Sequence, residues 1–176
     1  TPKFSGGFGL NATYKGFDMS MFFNFMYDFD VLNANKIMLT TWADNKENNF
    51  LMDIASDKRW RNFDDMGNEI RYSPEVLAEF NKNATMWNPT SIGRPICMSY
   101  AVEDGSFLRL NSATLGYTLP SVWTKKVGLS KVRFYVSGNN LFTLTGYSGY
   151  DPEVNIATGL TPNIDYNRYP RSRTYT

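Results

Sequence analysis

Hydrophobic and polar positions alternate with period two through much of this chain. Over residues 4–15 the even positions are Phe4, Gly6, Phe8, Leu10, Ala12 and Tyr14, and the odd ones are Ser5, Gly7, Gly9, Asn11, Thr13 and Lys15. Such alternation predicts a β-strand with two chemically different faces. Over residues 17–28 the apolar set moves to the odd positions, Phe17, Met19, Met21, Phe23, Phe25 and Tyr27, against Asp18, Ser20, Phe22, Asn24, Met26 and Asp28. A two-residue loop at Lys15 and Gly16 makes Tyr14 and Phe17 cross-strand partners, so the change of parity is what a tight hairpin requires. The same register sets Gly9 opposite Phe22 and Gly7 opposite Asn24, which makes room for Phe22 and Met26 on the polar face.

The segment "FLRLNSATLGYTLP" starting at Phe107 predicts a third strand, with Ala113, Leu115 and Tyr117 continuing the apolar face and Ser112, Thr114, Gly116 and Thr118 the polar one. Leu108 and Leu110 fall on the wrong parity, which calls for a β-bulge near Asn111 and Ser112 or for an upper strand end that packs under a loop. A fourth strand reads Val132, Phe134 and Val136 on the apolar side and Arg133, Tyr135 and Ser137 on the other, until Gly138 and "NNLF" disturb the pattern. Two short helices interrupt the β pattern. "YSPEVLAEF" at residues 72–80 has Ser73 at the cap, Pro74 at the first position and Val76, Leu77 and Phe80 on one side, and a single turn over residues 120–127 places Trp123 at an interface.

Two environments suit an alternating sheet. A water-facing sheet face usually carries Lys, Glu and Arg, but here the polar face carries Ser, Gly, Asn and Thr while the opposite face is heavy in Phe and Met. That is the pattern of a transmembrane barrel, whose lumen is polar and whose outer surface meets lipid; the alternative is a secreted β-sandwich with its apolar face in a core. The ten steps from Phe17 to Tyr27, at ~3.3 Å per step and a tilt of ~45°, make an apolar band about 23 Å tall, near the ~25 Å of such barrels. Connection lengths favour the barrel further: two residues at 15–16, about 77 over residues 29–105, a dozen over 119–130 and some 25 over 145–169. Short and long connections alternate by end, as periplasmic turns and extracellular loops do. On this reading Phe8, Leu10, Met21, Phe23, Phe25, Leu115, Phe134 and Val136 face lipid.

Composition narrows the function. The formal charge is +1, from 18 basic and 17 acidic side chains without a long run of one sign, which argues against a nucleic-acid footprint. The chain has no histidine and one cysteine, Cys97, so it lacks the commonest general base and transition-metal ligand and cannot form an internal disulfide. No enzyme, metal or cofactor is expected. No apolar run reaches the ~20 residues of a membrane-spanning helix. "DDMGNE" at residues 64–69 offers oxygen ligands but not EF-hand spacing, and reads as a solvated turn around Gly67. Asp151 and Glu153 make a poor glycosidase pair with Pro152 between them, and Asp-Pro reads as a turn. "FSGGFGL" is part of a strand, not a phosphate loop. The candidate binding residues are Trp42, Trp60 and Trp87 in the longest connection, where aromatic faces beside polar groups line clefts for sugar rings or peptide side chains, the alternative being that they pack that loop onto itself.

Three ordered motifs carry a family resemblance. "EDGSFLRLNSATLGYTLP", "VRFYVSGNNLFTLTGYSGYDPEV" and "YPRSRTYT" resemble the C-terminal end of SusC/RagA-type TonB-linked outer-membrane transporters, and "YKGFDMSMFFNFMYDFDVLN" and, less closely, "MWNPT" resemble further parts of the same region. The resemblance implies an all-β chain: the C-terminal antiparallel strands of a large transmembrane β-barrel of roughly 22 strands, an up-and-down meander with long extracellular loops containing short helices. Residues 1–176 would hold about the last five strands, with the plug and the end of the final strand outside them. The implied activity is TonB-dependent import of oligosaccharides or peptides across the outer membrane. The implied partners are the rest of the barrel and its plug, the TonB protein acting through that plug, and a SusD-like surface lid lipoprotein. Four full strands with two open edges cannot close a barrel alone.

Overall fold

The computed structural model describes residues 2–41, 50–54, 58–88, 96–153, 163–166 and 169–176. Two compact units divide the chain, Thr1–Leu32 with Val102–Thr176 and Asn33–Ala101.

The first unit is built on β1 (Phe4–Tyr14) and β2 (Phe17–Tyr27), joined by the predicted two-residue turn. Lys15 and Gly16 both have positive φ, 45° and 89°, the signature of the type I′ turn whose twist matches that of the strands it joins. The register is the predicted one from Phe4↔Tyr27 to Tyr14↔Phe17, with Gly7↔Asn24 and Gly9↔Phe22. Gly7 is room for a ring, since a Cβ there would come within 2.8 Å of Phe22 Cζ, whereas a Cβ on Gly9 would meet the Phe22 ring only at an ordinary 3.9 Å.

Three short strands follow in the chain's long connections, β3 (Asp30–Asn33), β4 (Val102–Asp104) and, later, β7 (Ile164–Asp165), which form a small sheet of order β4-β3-β7. The connections read from sequence over residues 29–105 and 145–169 therefore contain short strands that pair with one another. The main sheet continues with β5 (Phe107–Thr118), β6 (Arg133–Thr145) and β8 (Thr174–Tyr175), in the antiparallel order β1-β2-β5-β6-β8.

The displaced leucines of β5 are explained by a bulge. Ser112 pairs with Phe22 and Leu110 with Phe23, so Asn111 is an extra residue on β5. Opposite it, Ser112 pairs with Asn139 and Leu110 with Phe142, leaving Asn140 and Leu141 unpaired on β6 with Asn140 at φ 53°. Asparagine tolerates this left-handed conformation better than other non-glycine residues. The bulge returns Leu108 and Leu110 to the face of Phe25 and Phe23.

One face of the sheet then reads Phe8, Phe23, Leu110 and Phe142 across one row and Met19, Leu115 and Val136 across another, since directly paired residues share a face. All eight residues expected on the apolar face lie there. Asn11, Ser20 and Thr114, with Asn24 and Arg133, lie on the other, as expected. The apolar face is largely solvent-exposed in this chain, Phe8, Leu10, Leu115, Phe134 and Val136 among its open side chains. No second sheet covers it among the described residues, as the sandwich alternative would require.

The second unit is made of short elements: α1 (Ala34–Met38), a 3-10 turn Met52–Ile54, α2 (Pro74–Asn81) and a 3-10 turn Ser99–Ala101. Ser73 stands at the N-cap of α2 and Pro74 at its first position, as predicted, although the Ser73 hydroxyl makes no capping bond and Val76 is exposed. Asn81 closes the helix by donating to Leu77 O and Arg61 O while accepting from Arg61 N. Gly67, at φ 85°, makes the expected turn: Asp64 Oδ1 accepts from the backbone N–H of Met66 and Asn68, and Phe63 bridges to Glu69. These bonds favour the charged carboxylate and hold Asp64 below the usual range, the Asn68 side chain contributing most.

Candidate functional site

The polar face of the main sheet is organised by two arginines at opposite ends. At the end of the two-residue turn, Arg133 on β6 reaches across β5 to Asp18 on β2, with Nε to Oδ1 at 3.0 Å and Nη2 to Oδ2 at 2.5 Å. This two-pronged pair crosses above Gly116, where a Cβ would come within 2.5 Å of Arg133 Nη2 and 2.7 Å of Asp18 Oδ1. The glycine is what lets strands two apart be joined over the one between them. Arg133 also lies 5.2 Å from the centre of the Tyr135 ring.

At the opposite end, Arg109 on β5 is almost fully buried. Its Nη2 donates to Asp151 Oδ1, and its Nε faces Glu153 Oε2 at 3.4 Å as an ion pair without a hydrogen bond. Arg171 completes the cluster on the other oxygen of Glu153, at 3.0 Å. Asp151 Oδ1 also accepts from Glu153 N, so the predicted Asp-Pro turn forms and aims both carboxylates at one guanidinium. Sequence reasoning weighed this pair only as catalytic groups and missed Arg109. The signal was present, since "LRL" puts a charge on the polar parity of a strand once the bulge is allowed.

Beside that cluster lies the core of the first unit, Phe29, Val31, Phe107 and Tyr147, with Met26 against it. Tyr147 donates its hydroxyl to the fully buried Asp165 at 2.8 Å, and Glu103 accepts from both the N–H and the hydroxyl of Ser148. Burial, then the hydrogen bond and charge of Asp165, push the Tyr147 phenol well above its ordinary value. The "YSGYDPE" segment is thus fixed through Tyr147, Ser148, Asp151 and Glu153.

The candidate binding tryptophans divide. Trp42 lies outside the described residues. The Arg59–Met86 bridge brings the backbones leading into Trp60 and Trp87 side by side, and Trp60 N donates to Met86 O at 2.7 Å. Their side chains differ: Trp60 is exposed and donates Nε1 to Asn62 Oδ1 at 3.2 Å. Trp87 packs edge-on against Tyr100, with ring centres 5.2 Å apart, and its Nε1 is buried without a hydrogen-bond partner. Tyr100 donates to Asp53 at 2.5 Å and carries the Lys36 ammonium 4.1 Å from its ring centre. Trp87 is therefore partly committed to packing, whereas the Trp60 ring is open.

Comparison with known proteins agrees with this architecture. No family model matches the chain. A TonB-dependent receptor, P3 of Formosa agariphila, is 35% identical over 182 residues, covering 100% of this chain and 16% of the receptor. The TonB-dependent receptor SusC of Bacteroides thetaiotaomicron is 38% identical over 80 residues, 43% of this chain and 7% of SusC. The solved structure of the RagAB peptide importer in its closed-closed state superposes on 99% of this chain and 16% of its own with a TM-score of 0.74 at 24% identity. Its open-open state does so with a TM-score of 0.70 at 25% identity over the same shares. The chain thus spans only 16% of the first relative's length. With its hairpin register, its bulged third strand and its loop motifs all in place, the chain belongs to the SusC/RagA-type TonB-dependent receptors, and its five-stranded sheet is a segment of their transmembrane β-barrel.

Proposed function

We propose that this chain forms part of the wall and outer rim of an importer that takes up oligosaccharides or peptides through the outer membrane, with energy delivered by TonB through a plug outside these residues. One observation carries the reading: the register gathers Phe8, Leu10, Met21, Phe23, Phe25, Leu115, Phe134 and Val136 on one exposed face and polar residues on the other. A sheet so divided has lipid on one side and a watery lumen on the other. The two-residue turn then marks the periplasmic end, and the Arg109 cluster with the connections over residues 29–105 and 146–173 marks the outer end. A SusD-like lipoprotein would cover that outer rim, and the edge strand β1 would pair with the remainder of the barrel.

The test uses the whole receptor. Phe23→Arg should cost roughly 2–4 kcal/mol in folding into bilayers, and Asn24→Arg far less, because only the first puts charge into hydrocarbon. Equal losses would remove the lipid assignment. For substrate capture, Trp60→Ala and Trp42→Ala should weaken uptake and binding while leaving the barrel assembled, and Trp87→Ala should in addition loosen its own loop. Growth of a gene-deletion strain on oligosaccharide or on peptide as sole nutrient separates the two substrate classes.

A further inference from the structure

We propose that the connection between β5 and β6 binds the periplasmic leaflet of the membrane, its apolar side chains lying among the headgroups and its lysines holding anionic phospholipid. The inference rests on the barrel reading above and adds to it a lipid site outside the strands.

The connection is ordered by its own bonds. Pro120 leads into α3 (Ser121–Thr124) and a 3-10 turn Lys125–Val127, which ends at Gly128 with φ 74°. Thr124, 2% exposed, is the interior: its hydroxyl donates to Ser121 O and its carbonyl accepts from Leu129 N at 3.0 Å. So small an interior leaves no place for the remaining apolar groups. Val122, Trp123, Val127 and Leu129 are 67%, 60%, 71% and 50% exposed. Four such residues within eight positions are poorly suited to a solvated turn and well suited to the amphipathic zone of a bilayer.

On the β5 side of the connection the neighbouring strands are already in place, since β5 is flanked by β2 and β6, while on the β6 side β8 pairs only at Gly138 and Asn139. The patch also continues the lipid face. The last pair of the apolar face before it is Tyr117 with Phe134, and Tyr117 lies against Phe17 with ring centres 4.5 Å apart, so an aromatic row runs up to the turn.

Charge selects the ligand. Residues 119–133 contain Lys125, Lys126, Lys131 and Arg133 and no acidic residue. Arg133 is taken by Asp18, while Lys125 and Lys126 make no ion pair among the described residues. Two free ammonium groups beside an exposed tryptophan match the combination that membrane surfaces bind, apolar insertion plus attraction to anionic headgroups. Long lysine stems let the charge reach phosphate while the neighbouring apolar groups stay deeper.

The test places a nitroxide at Val122→Cys, Val136→Cys or Met66→Cys of the whole, otherwise cysteine-free receptor in phosphatidylglycerol–phosphatidylcholine vesicles. Oxygen and nickel-chelate accessibility then report depth. Val136 should read as hydrocarbon, Met66 as water and Val122 as headgroup. Val122 reading like Met66 while Val136 stays in hydrocarbon overturns the inference alone, whereas Val122 and Val136 both reading as water removes the barrel assignment and this one with it. In native mass spectrometry, retention of phosphatidylglycerol over phosphatidylcholine should fall roughly fivefold for each lysine removed in Lys125→Gln and Lys126→Gln. Unchanged retention, or full displacement of the lipid by inorganic phosphate, overturns the headgroup assignment.

Discussion

Two arginine–aspartate pairs lie on the polar face of one sheet, built from the same groups and differing in what surrounds them. Arg133 and Asp18 are about one-third exposed, 35% and 33%, and are held by two hydrogen bonds from strands on either side of β5. Arg109 and Asp151 are 3% and 5% exposed, and the aspartate comes from a connection that folds back over the strand. The first pair ties strands already paired through their backbones. The second fixes a segment that has no long ladder of its own. A partly exposed pair contributes little, because water screens its attraction and competes for its bonds. A buried pair gives up the hydration of both charges and gains little net stability over apolar substitutes, but removing one partner strands the other. The comparison teaches that the Arg109 end of the sheet is vulnerable at single residues where the turn end is not.

The largest effect should follow from Asp151→Ala. It leaves Arg109 buried with only Glu153 at hand and should cost about 3–5 kcal/mol, read as a lower urea midpoint of the whole receptor and as new protease cleavage over residues 146–153. A cost below ~1 kcal/mol would erase the distinction between the two ends. The double change Arg109→Met with Asp151→Leu should recover most of that loss, since Glu153 keeps Arg171 and no buried charge is left alone. A double variant as unstable as the single one would move the cause to packing.

An intermediate effect belongs to Tyr147, in the core beside the Arg109 end. Its phenol ionises less readily folded than unfolded, so it contributes stability that is complete below its ordinary value of 10.0 and is lost as pH rises above it. Tyr147→Phe removes a donor from buried Asp165, should cost about 1–3 kcal/mol near neutrality, and should abolish this alkaline loss. Unfolding followed between pH 9 and pH 12 for both proteins checks the sign.

The smallest effect is expected at the turn end. Asp18→Asn should leave the urea midpoint of the whole receptor nearly unchanged, with no change in protease accessibility at the Arg109 end. Gly116→Ala should do slightly more, because its Cβ displaces the guanidinium while the backbone pairing stays.

How much of this was legible beforehand depends on how far apart the cooperating residues are. Period two over residues 4–28 and a Lys-Gly turn between the two runs leave a single register that keeps the apolar side chains other than Phe22 and Met26 on one face, so the hairpin, its faces and the glycine room for Phe22 follow from local order alone. The helix at Pro74 and the turn at Gly67 are likewise written in neighbouring residues. The bulge was legible only as a parity error at Leu108 and Leu110. Its partner distortion at Asn140 required the strand opposite.

What the tertiary structure alone decided are pairings between segments whose local patterns are silent about each other. Asp18 and Arg133 are 115 residues apart and meet because two intervening registers bring them to either side of Gly116. Arg109 meets Asp151 across 42 residues, Tyr147 meets Asp165 across 18, and β3, β4 and β7 find one another from within connections that alone read as loops. Local alternation specifies which way a side chain points, because each residue's direction follows from the one before it. Which charge it meets depends on where distant chain is brought by the closing of the sheet, and no short stretch of sequence contains that.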